Sequence, residues 1–385
     1  MCQISSTSKG QVQFCKRCIY SSKNVGVKFD VTGVCNFCLQ VDSLQNQFGT
    51  GSDRGLKELE RILLKIKKMG RNQKYDCVIG VSGGTDSSYL LYLAKEWGLR
   101  PLAVHYDNTW NSSIATLNIA SVLNALDIDL FTHVVDNKEA DDIFKAFWNA
   151  GVAELEASTD LGYAYTLRKV AAKKKIKFIL EGHSFITEGI TPLNRNYFDG
   201  KYISEIHNRF GTLPIRTYPL MTFSRFMKSI LKERIIFIRP YWYIEYSKEN
   251  ANQILTKNFG WKYYGGHHLE NRMSAFLHSV YLPGKFDTDL RINTLAAQVR
   301  TGKTSREQAL TELSSRPHVE FGLIKYFCKR MNIDEEEFER VMKLAPHSWS
   351  EFPTYRPLFK RLRLIFRVFA YFNLIPMSFY KKYCF

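Results

Sequence analysis

The chain has 385 residues, 45% hydrophobic and 24% charged, which excludes wholesale disorder and on a soft prior allows about two to three units. No apolar run reaches the roughly 18 residues a spanning helix needs, and the N-terminal MCQISSTSKGQVQ lacks a secretory apolar segment, so the expected location is the cytoplasm. A formal net charge of +17 implies acidic partners (nucleotide, nucleotide-sugar, RNA or anionic lipid) without choosing among them.

Residues 1–13 are polar and expected to be poorly ordered. Cys2 after Met1 resembles an N-terminal glutaminase nucleophile, but the next element starts only about a dozen residues later, too soon for a glutaminase fold. Residues 14–45 form the next unit. Cys15 and Cys18 make one CxxC pair and Cys35 and Cys38 another, separated by sixteen residues, a spacing that fits a four-cysteine zinc ribbon. A closed site of four thiolates leaves no open coordination position, so its expected role is structural. Residues 46–72 read as a helical linker, since Leu and Ile recur at helical spacing through 55–69 with Lys on the other face.

The region 73–205 reads as alternating strands and helices, hence a parallel, doubly wound sheet with ligands at the carboxyl ends of the strands. Its first strand runs from Cys77 to Val81 and breaks into Ser82, Gly83, Gly84, Thr85, Asp86, Ser87 and Ser88, followed at once by an apolar helical pattern. Two glycines permit a tight turn, and the free N–H groups of the helix start form an anion site. The three serines can add hydroxyl donors, and Asp86 can hold Mg²⁺ against phosphate oxygens. No lysine closes the loop, so it is not the GxxxxGK[ST] type. It resembles the SGGxDS signature of the ATP pyrophosphatases, the PP-loop family, which open ATP between its α and β phosphates.

Further polar residues gather at strand ends. Asp107 closes the second strand, where the pyrophosphatases often carry an acidic residue near the nucleotide; capping the next turn is the alternative. The fourth strand ends in EGHSFITEG, where Gly182 permits close backbone approach and His183 and Glu188 make a polar set suited to acid–base work. Residues 206–300 read as a substrate-binding lobe, although 195–245 discloses no chemistry. Within the lobe, Tyr264, His267, His268, Glu270 and Arg272 crowd a glycine-containing loop, and Lys285 and Arg291 offer cations for a diphosphate. Adjacent histidines cannot both face one metal, so substrate contact is the expectation for that pair. Residues 301–350 read as a helical scaffold, with a capping box expected from Thr304 to Glu307. The tail 351–385 has no acidic residue from Phe352 onward and interleaves Lys and Arg with Phe, Leu and Ile. Such a segment can lie on an anionic membrane or dock on the protein's own body.

Taken in order over nearly the whole chain, the four-cysteine ribbon, SGGTDSSYL, EGHSFITEG, FGWKYYGGHHLENR, PGKFDTDLR and TSREQAL resemble the N-acetyl sugar amidotransferases of lipopolysaccharide O-antigen synthesis. The resemblance implies conversion of an acetamido group to acetamidino on a nucleotide-activated diacetamido uronic acid. ATP, Mg²⁺ and structural Zn²⁺ would be the cofactors. Ammonia would come from a separate glutaminase with a barrel subunit similar to imidazole glycerol phosphate synthase. Independently of the resemblance, the tail's own basic pattern would allow peripheral contact with the inner membrane. In that chemistry Asp86, His183, Glu188 and Lys285 would act at the reacting centre. The alternative is a PP-loop enzyme of tRNA modification. Sulfur-transferring members use cysteines in the catalytic domain, and this chain has none between 78 and 327, which disfavours nucleic acid as the partner.

Overall fold

The computed structural model describes residues 12–190, 197–266, 269–372 and 374–385. Residues 1–11 of the stretch expected to be poorly ordered, and both His267 and His268, lie outside the described residues.

Eighteen α-helices accompany five strands among the described residues. Strands β1 (Cys77–Gly80), β2 (Pro101–Asp107), β3 (Leu130–Val134), β4 (Phe178–Leu180) and β5 (Ile236–Ile238) form one parallel sheet in the order β3-β2-β1-β4-β5. Helices α1 (Asn36–Phe48) and α2 (Asp53–Gly70) precede it. Helices α3 (Thr85–Glu96), α4 (Ser113–Leu126), α5 (Asn137–Ala150) and α6 (Ala157–Lys173) connect the first four strands. Helices α7 (Gly200–Phe210) and α8 (Phe223–Lys228) lead to β5, and α9 (Lys248–Phe259) follows it.

Why β1 reads as an unbroken apolar run is plain from its two faces, since a parallel strand covered on both sides has no solvated face to alternate with. Cys77 and Ile79 pack with Leu59 and Ile66 of α2, Leu90 and Leu91 of α3 and Val122 of α4. Val78 points the other way, to Leu167, Val170 and Ala171 of α6. Each fully buried aliphatic side chain here contributes about 1.5–3 kcal/mol of burial. From β1 the chain lays β2 and β3 to one side, then returns to place β4 and β5 on the other. The order therefore reverses at β1 and β4, and the crevice beyond their carboxyl ends is the expected ligand position for this architecture.

The remaining helices are α10 (Arg272–Phe276), α11 (Leu282–Phe286), α12 (Arg291–Arg300), α13 (Arg306–Ser314), α14 (Leu323–Met331) and α15 (Glu335–Lys343), then α16 (Arg356–Arg361), α17 (Arg363–Tyr371) and α18 (Met377–Tyr383). A second core joins α5 and α7 to α10, α14 and α15 around Trp148, Phe276 and Phe327, the last two stacked with centroids 3.7 Å apart. The cysteine ribbon packs on α12 and α13 through Tyr20 and Phe37 against Ile292, Leu295 and Ala309. The tail's inner face docks on the body through Phe359, Phe366 and Tyr383 against Tyr197 and Ile230.

Two local expectations shift. The capping box is made by Ser305 and Gln308, one residue beyond Thr304 and Glu307, because Ser305 takes the extended N-cap conformation and its hydroxyl accepts the Gln308 amide at 3.1 Å. The stretch 195–245, opaque as sequence, supplies β5. No helix among the described residues is long and apolar enough to cross a membrane.

Candidate functional site

The turn after β1 is shaped by its glycines. Gly83 sits at φ +82°, and a Cβ there would lie 2.3 Å from the Ala115 carbonyl oxygen, so any side chain would strain the backbone and collide with it. Gly84 is the N-cap of α3 and makes no side-chain cap bond. The start of α3 thus keeps its dipole and amides directed toward the crevice. Ser82 and Ser87 hydroxyls lie 3.5 Å apart across the turn, and the Thr85 amide faces the Tyr264 hydroxyl at 3.4 Å. A cleft of about 1190 Å³ opens in front, lined among others by Thr85, His183, Glu188, Lys248, Tyr264 and Arg291.

Asp86 is already engaged on both oxygens. One accepts from Tyr246 and the other faces the Lys248 ammonium at 3.0 Å. Tyr241 donates to the Asp86 carbonyl at 2.8 Å and stacks on Tyr246 with centroids 3.9 Å apart, fixing the first turn of α3 from the side. Burial by itself lowers the Lys248 ammonium, but Asp86 and Glu188 outweigh it and raise it, with Glu270 adding to the same effect. Three carboxylates therefore converge on one lysine beside the loop.

Glu270, beside the loop, is buried. One of its oxygens accepts from Ser82 at 3.2 Å, and the other is buried without a hydrogen-bond partner among the described residues. Nearby Glu156 accepts from Ser274 at 2.6 Å. Although Glu156 lines the cleft, the protein around its carboxyl pushes it up to about 8, and the Asp160 charge adds to this. Burial likewise pushes Glu154 up to about 7. His183 accepts from the Trp242 indole at 3.2 Å and lies 3.9 Å from Glu188. Its side chain faces the cleft, yet desolvation and then the Arg239 charge lower it to about 4, so it is neutral at physiological pH.

The other residues expected at a site separate. Gly182 lies against the start of α3, where an added Cβ would sit 2.9 Å from the Asp86 carbonyl oxygen. Asp107 instead caps its own turn, accepting from the Thr109 amide at 2.7 Å and from Asn111 at 3.1 Å. Lys285 does not reach the cleft: its buried ammonium donates to the Val341 and Leu344 carbonyls, both at 2.6 Å, and caps the end of α15. The expected pyrophosphate contact is corrected accordingly. Arg272 is outside the cleft lining, stacked over Tyr326 at 4.6 Å and 3.9 Å from Glu320. Arg291 lines the cleft but is held by Asp289 at 2.6 Å. Sequence reasoning passed over Lys248, Tyr246, Glu154 and Glu156. The one local cue was that Lys248 opens a helix directly after the N-cap Ser247.

The four ribbon cysteines form a separate centre. Their sulfurs lie within 4.8 Å of one another, with Cys15 and Cys38 at 3.8 Å and Cys18 and Cys35 at 3.7 Å. A tetrahedral ion with Zn–S bonds of about 2.3 Å places sulfurs about 3.8 Å apart, so the set fits zinc. The Cys35 amide points at Cys15 Sγ (3.2 Å) and the Arg300 guanidinium at Cys38 Sγ (3.3 Å), both favouring thiolates.

Sheet order, glycine turn and cleft together define an α/β protein with a parallel, doubly wound sheet, an added cysteine ribbon and a helical C-terminal region. Residues 270–365 match the family described as "LPS biosynthesis protein WbpG-like, C-terminal domain". An uncharacterised protein of Methanocaldococcus jannaschii is 26% identical over 308 residues, 78% of this chain and 92% of that protein. Similar solved structures include NMN synthetase from Francisella tularensis, with 14% identity, a TM-score of 0.32, and 76% of this chain and 97% of that chain covered. They also include the U34-tRNA thiolase of Methanococcus maripaludis, with 12% identity, a TM-score of 0.32, and 84% of this chain and 89% of that chain covered. At that level of superposition neither bears on the reaction of this chain.

Proposed function

We propose that this chain is an ATP-dependent amidotransferase. It converts the acetamido group of a nucleotide-activated sugar, a UDP-diacetamido uronic acid, to acetamidino in lipopolysaccharide O-antigen synthesis. Ammonia is supplied by separate glutaminase and barrel subunits, and the reaction takes place in the cytoplasm. The observation that carries this reading is the glycine loop at the sheet's reversal point, with Lys248 paired to its Asp86 and Glu270 accepting from its Ser82. The match of 270–365 to a lipopolysaccharide-biosynthesis family supports the sugar class.

An amide carbonyl is a weak electrophile until its oxygen is activated. In the proposed reaction that oxygen attacks the ATP α-phosphorus and pyrophosphate departs, leaving an O-adenylyl imidate. Ammonia then adds at the imidate carbon and AMP leaves, giving the amidine. The loop amides and Lys248 would hold the triphosphate and offset the charge of departing pyrophosphate. Neutral His183 already accepts from Trp242 at Nδ1, so its Nε2–H is left to donate, toward Glu188 or a substrate acceptor. Glu188 and Glu270 would stabilise the amidinium, which is charged at neutral pH. The residues that would hold Mg²⁺ are Asp86, once Lys248 yields, and Glu270, whose buried second oxygen has no hydrogen-bond partner among the described residues. It would supply charge neutralisation for the phosphates.

The test is pyrophosphate release from ATP and ammonium, comparing UDP-diacetamido sugars with bulk tRNA. Release that depends on the sugar is the expected result. Turnover only with tRNA, or with neither, would sink the reading. Glutamine is expected to replace ammonium only when a partner glutaminase is added, and efficient use by the chain alone would refute the borrowed-ammonia part.

A further inference from the structure

The tail presents two unlike faces. Phe366 and Ala370 of α17 are buried in the aromatic cluster with Phe359 and Tyr383. Leu364, Val368 and Tyr371, spaced along the opposite face, are 69, 52 and 78% exposed. Ile365 and Phe372 extend this apolar face on one flank, and exposed Arg363 and Arg367 border it on the other. We propose that the outward face of α17 docks on an anionic lipid bilayer.

Three observations favour that occupant. From Phe352 onward the chain has no acidic side chain, so nothing in the segment repels anionic headgroups. The helix spans nine residues, about 13 Å, too short to cross a bilayer but suited to lie in its interface with apolar side chains down and arginines at headgroup level. The inner face is locked into the body by rings such as Phe226 and Phe379, 5.0 Å apart, so the outer face is held in one orientation. A second copy of the chain is a poorer fit, because a two-fold contact of this face would oppose its own arginines. The proposal does not depend on the catalytic reading.

Flotation with vesicles tests it. The full chain is expected to float with phosphatidylcholine containing about one-third phosphatidylglycerol, far less with phosphatidylcholine alone, and less as salt rises. The Arg363→Glu/Arg367→Glu variant is expected to bind at least about thirtyfold more weakly, as removal of two surface cations implies. Leu364→Glu/Val368→Glu is expected to lose binding while keeping the wild-type melting temperature, since both side chains face outward. Equal binding to both vesicle types, or wild-type binding by the Leu364→Glu/Val368→Glu variant, would overturn the proposal. So would a concentration-dependent dimer abolished by that variant in a chain that ignores vesicles.

Discussion

Replacing Lys248 with Met probes the centre of the site. The ammonium lies 3.0 Å from Asp86, with both side chains 22% exposed. At an effective dielectric of about 20 the pair is worth about 5 kcal/mol of gross attraction, offset largely by the desolvation of both ions. Removing the lysine leaves Asp86, Glu188 and Glu270 facing one another without their shared cation, with Tyr246 still donating to Asp86. The expected net loss is about 2–3 kcal/mol, below the figure for a fully buried pair because water still reaches the cleft. Urea unfolding would read it as a lower midpoint at unchanged slope. Lys248→Arg keeps the charge and is expected to recover most of the stability. Pyrophosphate release in Lys248→Met should fall about a hundredfold or more in kcat/KM if the lysine stabilises the leaving group. A Met variant that loses less than about 0.5 kcal/mol and still releases pyrophosphate at the wild-type rate would show the pair to be incidental.

Gly83→Ala is expected to cost about 2–4 kcal/mol and abolish ATP binding, because its Cβ meets the Ala115 carbonyl at 2.3 Å from a positive φ; an unchanged melt and unchanged ATP affinity would contradict this turn geometry. Lys285→Met should lower stability by about 1–3 kcal/mol by uncapping α15 while leaving kcat unaltered, and the reverse pattern would return Lys285 to the site. Purified protein should contain zinc, and chelation should lower the melting temperature by freeing the ribbon from α12 and α13; metal-free protein indifferent to chelators would refute the zinc centre. Glu156 keeps its proton in the folded state up to about 8, whereas the unfolded chain releases it near 4.5, so its contribution to stability is lost as pH rises across that window. Glu156→Gln should flatten that slope in unfolding measured from pH 5 to pH 8, and an unaltered slope would show the carboxyl ionises freely.

What was legible in the sequence was local. The strand, glycine turn and helix start occupy one continuous stretch, and Gly83 and Gly84 have few other reasons to sit there. The cysteine spacing was equally direct, since four thiolates in two CxxC turns suit one ion and little else. What was hidden depended on distant pairing. Tyr246 reaches Asp86 from 160 residues along the chain, and Lys248, as a first-turn helical lysine, carries no mark that separates it from a solvated one. Lys285 misled for the converse reason: beside Pro283 and Gly284 it looked poised for phosphate, yet carbonyls 56 and 59 residues further on capture its ammonium. Strand β5 is only three residues long and follows a long excursion, so its pattern is too short to declare a period. Asp107 sat at the right strand end, but a strand-end aspartate serves its own turn as readily as a ligand.

Any phosphate-binding reading must account for the carboxylates in and around the cleft. The structure neutralises several of them. Glu181 is paired with Arg239 at 2.9 Å, Glu249 with Lys303, and Asp86 with Lys248. Glu156 and Glu154, which lack such cationic partners at hydrogen-bond distance, are pushed up to about 8 and about 7, so near pH 7 much of their charge is absent. A triphosphate approaching the loop therefore meets Lys248 and two largely neutral acids, with Glu188 and Glu270 offset in part by the same lysine. The same acids become useful later in the proposed reaction, when a neutral amide has become a cationic amidine. A positive charge forming nearby lowers the cost of ionising Glu156, so the wall that admits a polyanion can answer a cation by releasing a proton. That reversal needs carboxyls balanced near neutrality, which burial supplies here and free surface glutamates would not.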